Sequence, residues 1–272
     1  MDTRINYSIA DDIYEAVAKE NKPRNYLGMS EVGNPCDRFL WFKFRRFSRV
    51  PMENRIYLLF RFGDKAEELV CTYLRAAGYK LESAWPDPQA AYSALGGILH
   101  GHSDGIIYIP EGKALLEVKS ANRKRFQSFK LGGVRATDEK YYWQCQLYMG
   151  FGGLDRALFV ILNKDDSSIY TEIVPFNKAD FEWQVARVRN ICTSPIWPEA
   201  KDLPECGKCD FRLHCKTTEA IQTEHNCMTC SFLDVRIGNE ATLHCRHQAH
   251  SLQIHHSEMS CHEYSWLGTC PF

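Results

Sequence analysis

The chain lacks long apolar runs. None of its 272 residues belongs to a stretch approaching the roughly eighteen uninterrupted apolar residues of a membrane span, so no contact with a membrane is expected. Its opening, MDTRINYSIADDIYEAV, lacks the apolar region of a secretory leader, and a cytoplasmic location is the expectation. It also lacks a dominant charge. There are 33 Lys and Arg against 34 Asp and Glu, a net charge of −1. That excludes a uniformly basic nucleic-acid coat but not a local basic patch. No internal repeat and no low-complexity tract is present, which argues against solenoids and disordered arrays. With 44% hydrophobic and 25% charged residues the composition is that of a globular protein. The length suits one large domain, or one domain with an appendix.

What the chain has in quantity is cysteine and histidine. It carries 12 Cys and 10 His, and eight of each lie in residues 201–272. In a chain expected in a reducing compartment, such residues read as metal ligands before disulfides. The shift in composition marks a metal-rich C-terminal region.

The rest of the chain alternates helical and strand patterns. A short helix is expected around Asp11–Glu20, and another after Pro35 in FLWFKFRRF. Arg55–Ala77 carries apolar residues at helical spacing, with Gly78 as its C-terminal stop. Ile106–Ile109 and Ala114–Val118 flank a Pro110–Lys113 turn and read as a hairpin. Lys140–Met149 suits a helix, Arg156–Asn163 and Ser168–Val174 a second pair of strands, and Lys178–Ile191 a last helix. The order implies an α/β core with a mixed sheet flanked by helices.

Acidic residues gather where strands end. Asp104 precedes the first hairpin strand, and Glu117 and Lys119 lie near the end of the second. Residues two apart on a strand share a face, and adjacent strands bring Asp104 near Glu117. Two carboxylates and the Val118 carbonyl are oxygen donors suited to a hard cation such as Mg²⁺ or Mn²⁺. Lys119 can orient or steady an attacking water. A D…ExK pattern alone is weak, since acids and lysines also cluster at solvated strand ends. Glu67 or Glu68, on the long helix, can reach the same metal. Gln144 and Tyr148 are four apart, hence on one helix face, where they can contact Lys119 and a phosphate.

Together these segments carry a resemblance. G-x-x-x-E at Gly63–Glu67, G-H-S-D at Gly101–Asp104, E-V-K at Glu117–Lys119 and Q-x-x-x-Y at Gln144–Tyr148 occur in order. The set resembles the RecB-like branch of the PD-(D/E)XK nuclease superfamily. That branch includes recombination helicase-nucleases, phage lambda-type exonucleases and CRISPR-associated exonucleases. Many relatives have His where this chain has Glu67, but the lambda-type exonucleases have Glu. The resemblance implies a PD-(D/E)XK core and a Mg²⁺- or Mn²⁺-dependent deoxyribonuclease acting on DNA ends. Its catalytic residues would be Glu67, Asp104, Glu117, Lys119, Gln144 and Tyr148, with metal on Asp104, Glu117 and Val118.

Cys206, Cys209 and Cys215 are spaced C-x₂-C-x₅-C, and Cys36 is the candidate for a fourth ligand. Spacing alone does not separate zinc from iron–sulfur, nor exclude Cys36 as a core residue. The arrangement is similar to the iron–sulfur members of the same branch, which implies a [4Fe-4S] cluster tying the ends of the nuclease domain. Farther on, Cys227-x₂-Cys230, Cys245 and Cys261 suit a Zn²⁺ site, with His247, His250 and His262 as alternatives for one ligand. Cys71, Cys145 and Cys192 read as core residues, and Cys270 is unassigned.

Two stretches are locally basic. Asp37–Arg61 holds seven Lys and Arg, and Lys113–Lys130 holds six. Arg38, Arg123, Lys124, Arg125 and Lys130 are the candidate DNA contacts. Phe126 and Phe129 fit either base stacking or the core. The resulting expectation is a nuclease domain over residues 1–220 and a small metal-stabilised segment over 221–272. DNA ends or single strands would be the substrate, and recombination, replication or CRISPR proteins the partners. The alternatives are a non-catalytic DNA-binding or assembly module of the same fold, and an endonuclease.

Overall fold

The parallel pairing of two strands organises the molecule. In a computed structural model, residues 8–20, 24, 26–216, 226–247 and 249–253 are described. In chain order these hold helix α1 (Ile9–Lys19), strand β1 (Leu27–Gly28), helices α2 (Asp37–Phe44) and α3 (Asn54–Ala76), and strands β2 (Lys80–Glu82), β3 (Ala91–Ala94), β4 (Leu99–His102), β5 (Gly105–Ile109) and β6 (Gly112–Ala121). Helices α4 (Arg123–Thr137) and α5 (Glu139–Gly152), strands β7 (Arg156–Asn163) and β8 (Ile169–Pro175), and helices α6 (Lys178–Thr193) and α7 (Arg212–Lys216) follow. Strands β9 (Leu233–Ile237), β10 (Ala241–Cys245) and β11 (His250–Gln253) end the described chain.

The central sheet has the order β2-β5-β6-β7-β8. Within this sheet only β6 and β7 are parallel, and a parallel pair needs a long crossover, here α4 and α5. The expected α/β architecture, a mixed sheet flanked by helices, is therefore present. Strand β6 is the centre. Its Ala114–Val118 run is buried throughout, as a strand covered on both faces requires. Leu116 and Val118 pack with Val70 and Cys71 of α3, while Leu115 joins Phe159, Phe126, Phe129 and Leu147 on the opposite side. Glu117 and Lys119, alternating with Leu116 and Val118, share the face of Leu115. Cys71, Cys145 and Cys192 are fully buried core residues, and so are Phe126 and Phe129.

Three differences from the sequence pattern have physical causes. The hairpin turn is tighter than Pro110–Lys113, because Ile109 pairs with Gly112 and leaves Pro110-Glu111 as the loop. Helix α4 lies where sequence showed only a basic segment. Its charged first turn and its paired Gly132-Gly133 obscure the apolar rhythm of Phe126, Phe129 and Val134, although Asn122 caps it by accepting from Arg125 N at 2.9 Å. The C-terminal sheet β9–β11 was masked by its cysteines. There Leu233 and Val235 alternate, as do Ala241 and Leu243, and all four join the main core. No helix among the described residues is long and apolar enough to cross a membrane.

Candidate active site

Strand β5 stops short of its partner. Gly105 pairs with Leu116, and β6 runs on past that point. Val118 N is thus without a ladder acceptor from β5, and Asp104 Oδ2 takes it at 2.7 Å. In a strand the N–H and C=O of one residue point the same way, so the Val118 carbonyl faces the same space. Asp104 and Glu117 therefore converge as the hairpin demands. Glu117 is fully buried, and its Oε2 has no partner; Ser103 Oγ, beside Asp104, is likewise buried without one. Lys119 donates to Glu117 Oε1 and stands 3.9 Å from Asp104 Oδ2.

Glu67 arrives from α3, the opposite layer. It accepts from Gln89 Nε2 at 2.8 Å, whereas Glu68 pairs with Lys65 at 2.8 Å. That decides between the two neighbouring acids: Glu67 turns to the site.

The electrostatics follow from burial. It pushes the Glu117 carboxyl up to about 8, with the Asp104 charge adding and Lys119 opposing. Burial also raises Asp104, against Lys119 and the Val118 N–H. Glu67 is pushed up to about 7 by burial and then by Asp104. For Lys119, burial alone would favour the neutral amine, but Glu117 and Asp104 outweigh it and hold the ammonium. Three crowded acids around one cation resist ionising together, and a divalent cation between them would favour their charged forms. The donors are all oxygen, and the buried Glu117 Oε2 among them has no partner, so the set fits a hard divalent cation. Among the described residues no three His, Cys, Asp or Glu side chains stand as a ready ligand set.

Helix α5 forms the roof. Gln144 and Tyr148 are buried on it. Tyr148 packs on Tyr92 with ring centroids 5.2 Å apart. A residue that sequence reasoning missed is Tyr141, whose ring centre lies 5.4 Å from Lys119 Nζ. Its signal was present: Tyr141 is three before Gln144, on the same helix face. Gln89 and Tyr92 gave no such signal.

Gly101 of the G-H-S-D segment has a packing reason. A Cβ there would lie 2.5 Å from Tyr148 Oη. Gly101→Ala is expected to displace Tyr148, lower stability by about 2 kcal/mol and reduce turnover. Thermal unfolding together with a cleavage assay checks this.

The cysteines occupy separate ground. Cys36, Cys206, Cys209 and Cys215 line one cavity of about 290 Å³. Cys36 N donates to Asn34 Oδ1 at 2.9 Å, and Lys201 Nζ donates to the Pro35 carbonyl at 2.7 Å, drawing the two distant segments together. Leu203 N donates to Cys206 Sγ at 3.3 Å and Phe211 N to Cys209 Sγ at 3.4 Å. Arg38 is part of this wall. It donates to the Pro198 carbonyl at 2.7 Å and to Cys215 Sγ at 3.8 Å. Cys227 and Cys230 flank a tight turn, and Cys245 ends β10, whereas Cys261, His262 and Cys270 lie outside the described residues.

Of the basic candidates, Lys124 and Lys130 are exposed on α4. Arg123 pairs with Asp166 at 3.4 Å, and Arg125 pairs with Asp138.

No family model matches the chain, and no curated protein matches it. Solved structures do. A protein named SSO0001 is similar at 14% identity and a TM-score of 0.48, over 79% of this chain and 100% of that one. An alkaline exonuclease from Laribacter hongkongensis is similar at 14% identity and 0.42, over 67% of this chain and 90% of its own. A phage-related exonuclease from Haemophilus somnus 129PT is similar at 17% identity and 0.34, over 47% and 64%. The functional reading rests on the site itself.

Proposed function

We propose that the chain is a Mg²⁺- or Mn²⁺-dependent deoxyribonuclease that hydrolyses phosphodiester bonds at DNA ends. The observation that carries this is the fully buried Glu117, with its free Oε2, beside the partly buried Asp104 and on the same strand end as Lys119. An ordinary solvated strand end has no reason to bury carboxylates that far. Asp104, Glu117 and the Val118 carbonyl would hold the metal, and Glu67 would assist from α3. When bound, the metal offsets charge on the scissile phosphate and acidifies water.

The chain's own residues do the rest. Lys119, kept as an ammonium, orients the attacking water and stabilises negative charge as the new P–O bond forms and the old one breaks. Tyr141 limits where Nζ can sit. Gln144 and Tyr148, roofing the site, position Lys119 and the substrate. Lys124 and Lys130, on the helix that leaves β6, supply phosphate contacts. The choice of ends over internal sites rests on the motif set, in which Glu67 takes the form found in lambda-type exonucleases.

The first cysteine set fits a [4Fe-4S] cluster. Four cysteines line one cavity, and the sulfurs of Cys206 and Cys209 already receive backbone N–H donors. The cluster's role would be structural, joining residue 36 to residues 206–215. Absorbance near 400 nm from anaerobically purified protein checks it; a colourless protein with zinc at these cysteines contradicts it.

Incubating wild-type protein with Mn²⁺ and either end-labelled linear duplex or covalently closed circles tests the activity. Linear DNA should shorten from its ends, closed circles should persist, and a chelator should stop the reaction. Intact linear DNA would overturn the reading, and linearised circles would make the protein an endonuclease.

A further inference from the structure

Gly63 sits well inside α3, where glycine weakens a helix relative to alanine. Its backbone is helical, so no turn or left-handed conformation asks for glycine. Nor does packing. At Gly101 and Gly33 an added Cβ would strike Tyr148 and Lys140, but at Gly63 it would meet no atom of the described residues within 4 Å. The position is exposed. The fold itself gives no reason for a glycine here.

Its place on the helix does. Gly63 is four residues before Glu67, hence on the same face and about 6 Å along the axis. That face has two halves. Toward the C-terminus, Val70 and Cys71 pack on Leu116 and Val118 of β6. One turn earlier, Glu67 is turned to the site and held by Gln89. Before Ala66 no residue of α3 is buried. Phe60, one further turn along the same face, is 51% exposed. The site-facing stripe of α3 thus runs on past its packed half and overhangs open space beside Glu67. Where the overhang comes nearest to Glu67, it carries no side chain.

The geometry points to Gly63 as the clearance for the DNA strand: the sugar–phosphate of the nucleotide next to the scissile bond lies against the bare helix backbone there. This rests on the proposed cleavage of DNA at Asp104, Glu117 and Glu67. A strand cut beside Glu67 continues past it, so its next sugar and phosphate need room within a helical turn. Glycine lets a ligand approach the backbone closely, which any side chain would prevent.

The test uses wild type, Gly63→Ala and Gly63→Leu, each measured for melting, Mn²⁺ binding by calorimetry and cleavage of end-labelled linear DNA. Both replacements are good helix formers entering open space. Gly63→Ala should melt about 1–4 °C above wild type, and Gly63→Leu no lower than wild type. Mn²⁺ affinity should be unchanged. On DNA, kcat/KM should nonetheless fall, about fivefold for alanine and about 10²-fold for leucine. A residue kept for substrate raises stability and lowers cleavage when replaced, whereas a structural residue lowers both. If Gly63→Leu does not fold, Gly63→Ala decides. Wild-type kcat/KM in the folded variants overturns the proposal. So does melting of Gly63→Ala below wild type, which would give Gly63 a packing role. So does weakened Mn²⁺ binding, which would place the effect on the metal. Wild type that binds Mn²⁺ and leaves DNA intact fails the cleavage reading, and this inference with it.

Discussion

Lys119→Met should lower DNA cleavage by roughly 10²–10⁴-fold, the range for losing a positioned proton-transfer or charge-stabilising group. Metal binding should survive, because Asp104, Glu117 and Glu67 are all retained. A second effect separates this from simple misfolding. Without metal, Lys119 is the cation that Glu117 and Asp104 share. Removing one partner of a buried ion pair costs about 3–5 kcal/mol at the extreme, less where the remaining acid takes up a proton. Glu117, already raised by burial, loses in Lys119 the group that opposes that rise and holds a proton more firmly. The variant should therefore melt earlier than wild type in chelator and recover much of the difference in Mn²⁺. Cleavage should not recover with it. Undiminished cleavage by folded Lys119→Met would remove the lysine from the chemistry.

Gly96→Ala should have the largest effect on stability. Gly96 adopts φ 65°, a conformation that a Cβ disfavours. Beyond that, a Cβ there would overlap the backbone of Glu240 and Ala241 at the start of β10. Backbone cannot swing aside as a side-chain tip can. The expected loss is about 3 kcal/mol, combining strain and overpacking. It should fall first on the contact between the C-terminal sheet and the core. Limited proteolysis should then cut residues after 216 more readily than in wild type, while the central sheet stays protected. Equal melting and equal proteolysis would mean that the two parts tolerate separation.

Much of the sheet is legible in the sequence. The apolar runs on either side of Pro110-Glu111 give the β5–β6 hairpin, and that hairpin alone puts Asp104 beside Glu117. The alternation of side chains along a strand sets Glu117 and Lys119 on one face. Helix α3 follows its apolar spacing to within a residue at each end. What local pattern does not carry is phase and tertiary contact. Glu67 and Glu68 are adjacent, and only the approach of Gln89 and Asp104 on one side and Lys65 on the other separates their roles. Arg38 is basic and near the start of a helix, which suits a phosphate contact, yet its guanidinium faces Cys215 and Pro198. Helix α4 hides because its first turn is charged and Gly133 breaks its conformation at φ 69°. Arg45 looks like one more surface cation in a basic stretch. Its burial is fixed by Trp41 and by a turn that lies 183 residues away along the chain.

The central claim is that Glu117 on β6 and Asp104 beside it hold the metal that cleaves DNA. Glu117→Gln tests it most directly. The side chain keeps its shape and loses its charge. One preparation of this variant and one of wild type should be titrated with Mn²⁺ by calorimetry and assayed on end-labelled linear DNA. Wild type should bind Mn²⁺ and shorten the DNA, and folded Glu117→Gln should do neither to a measurable degree. Cleavage by Glu117→Gln at the wild-type rate would contradict the assignment.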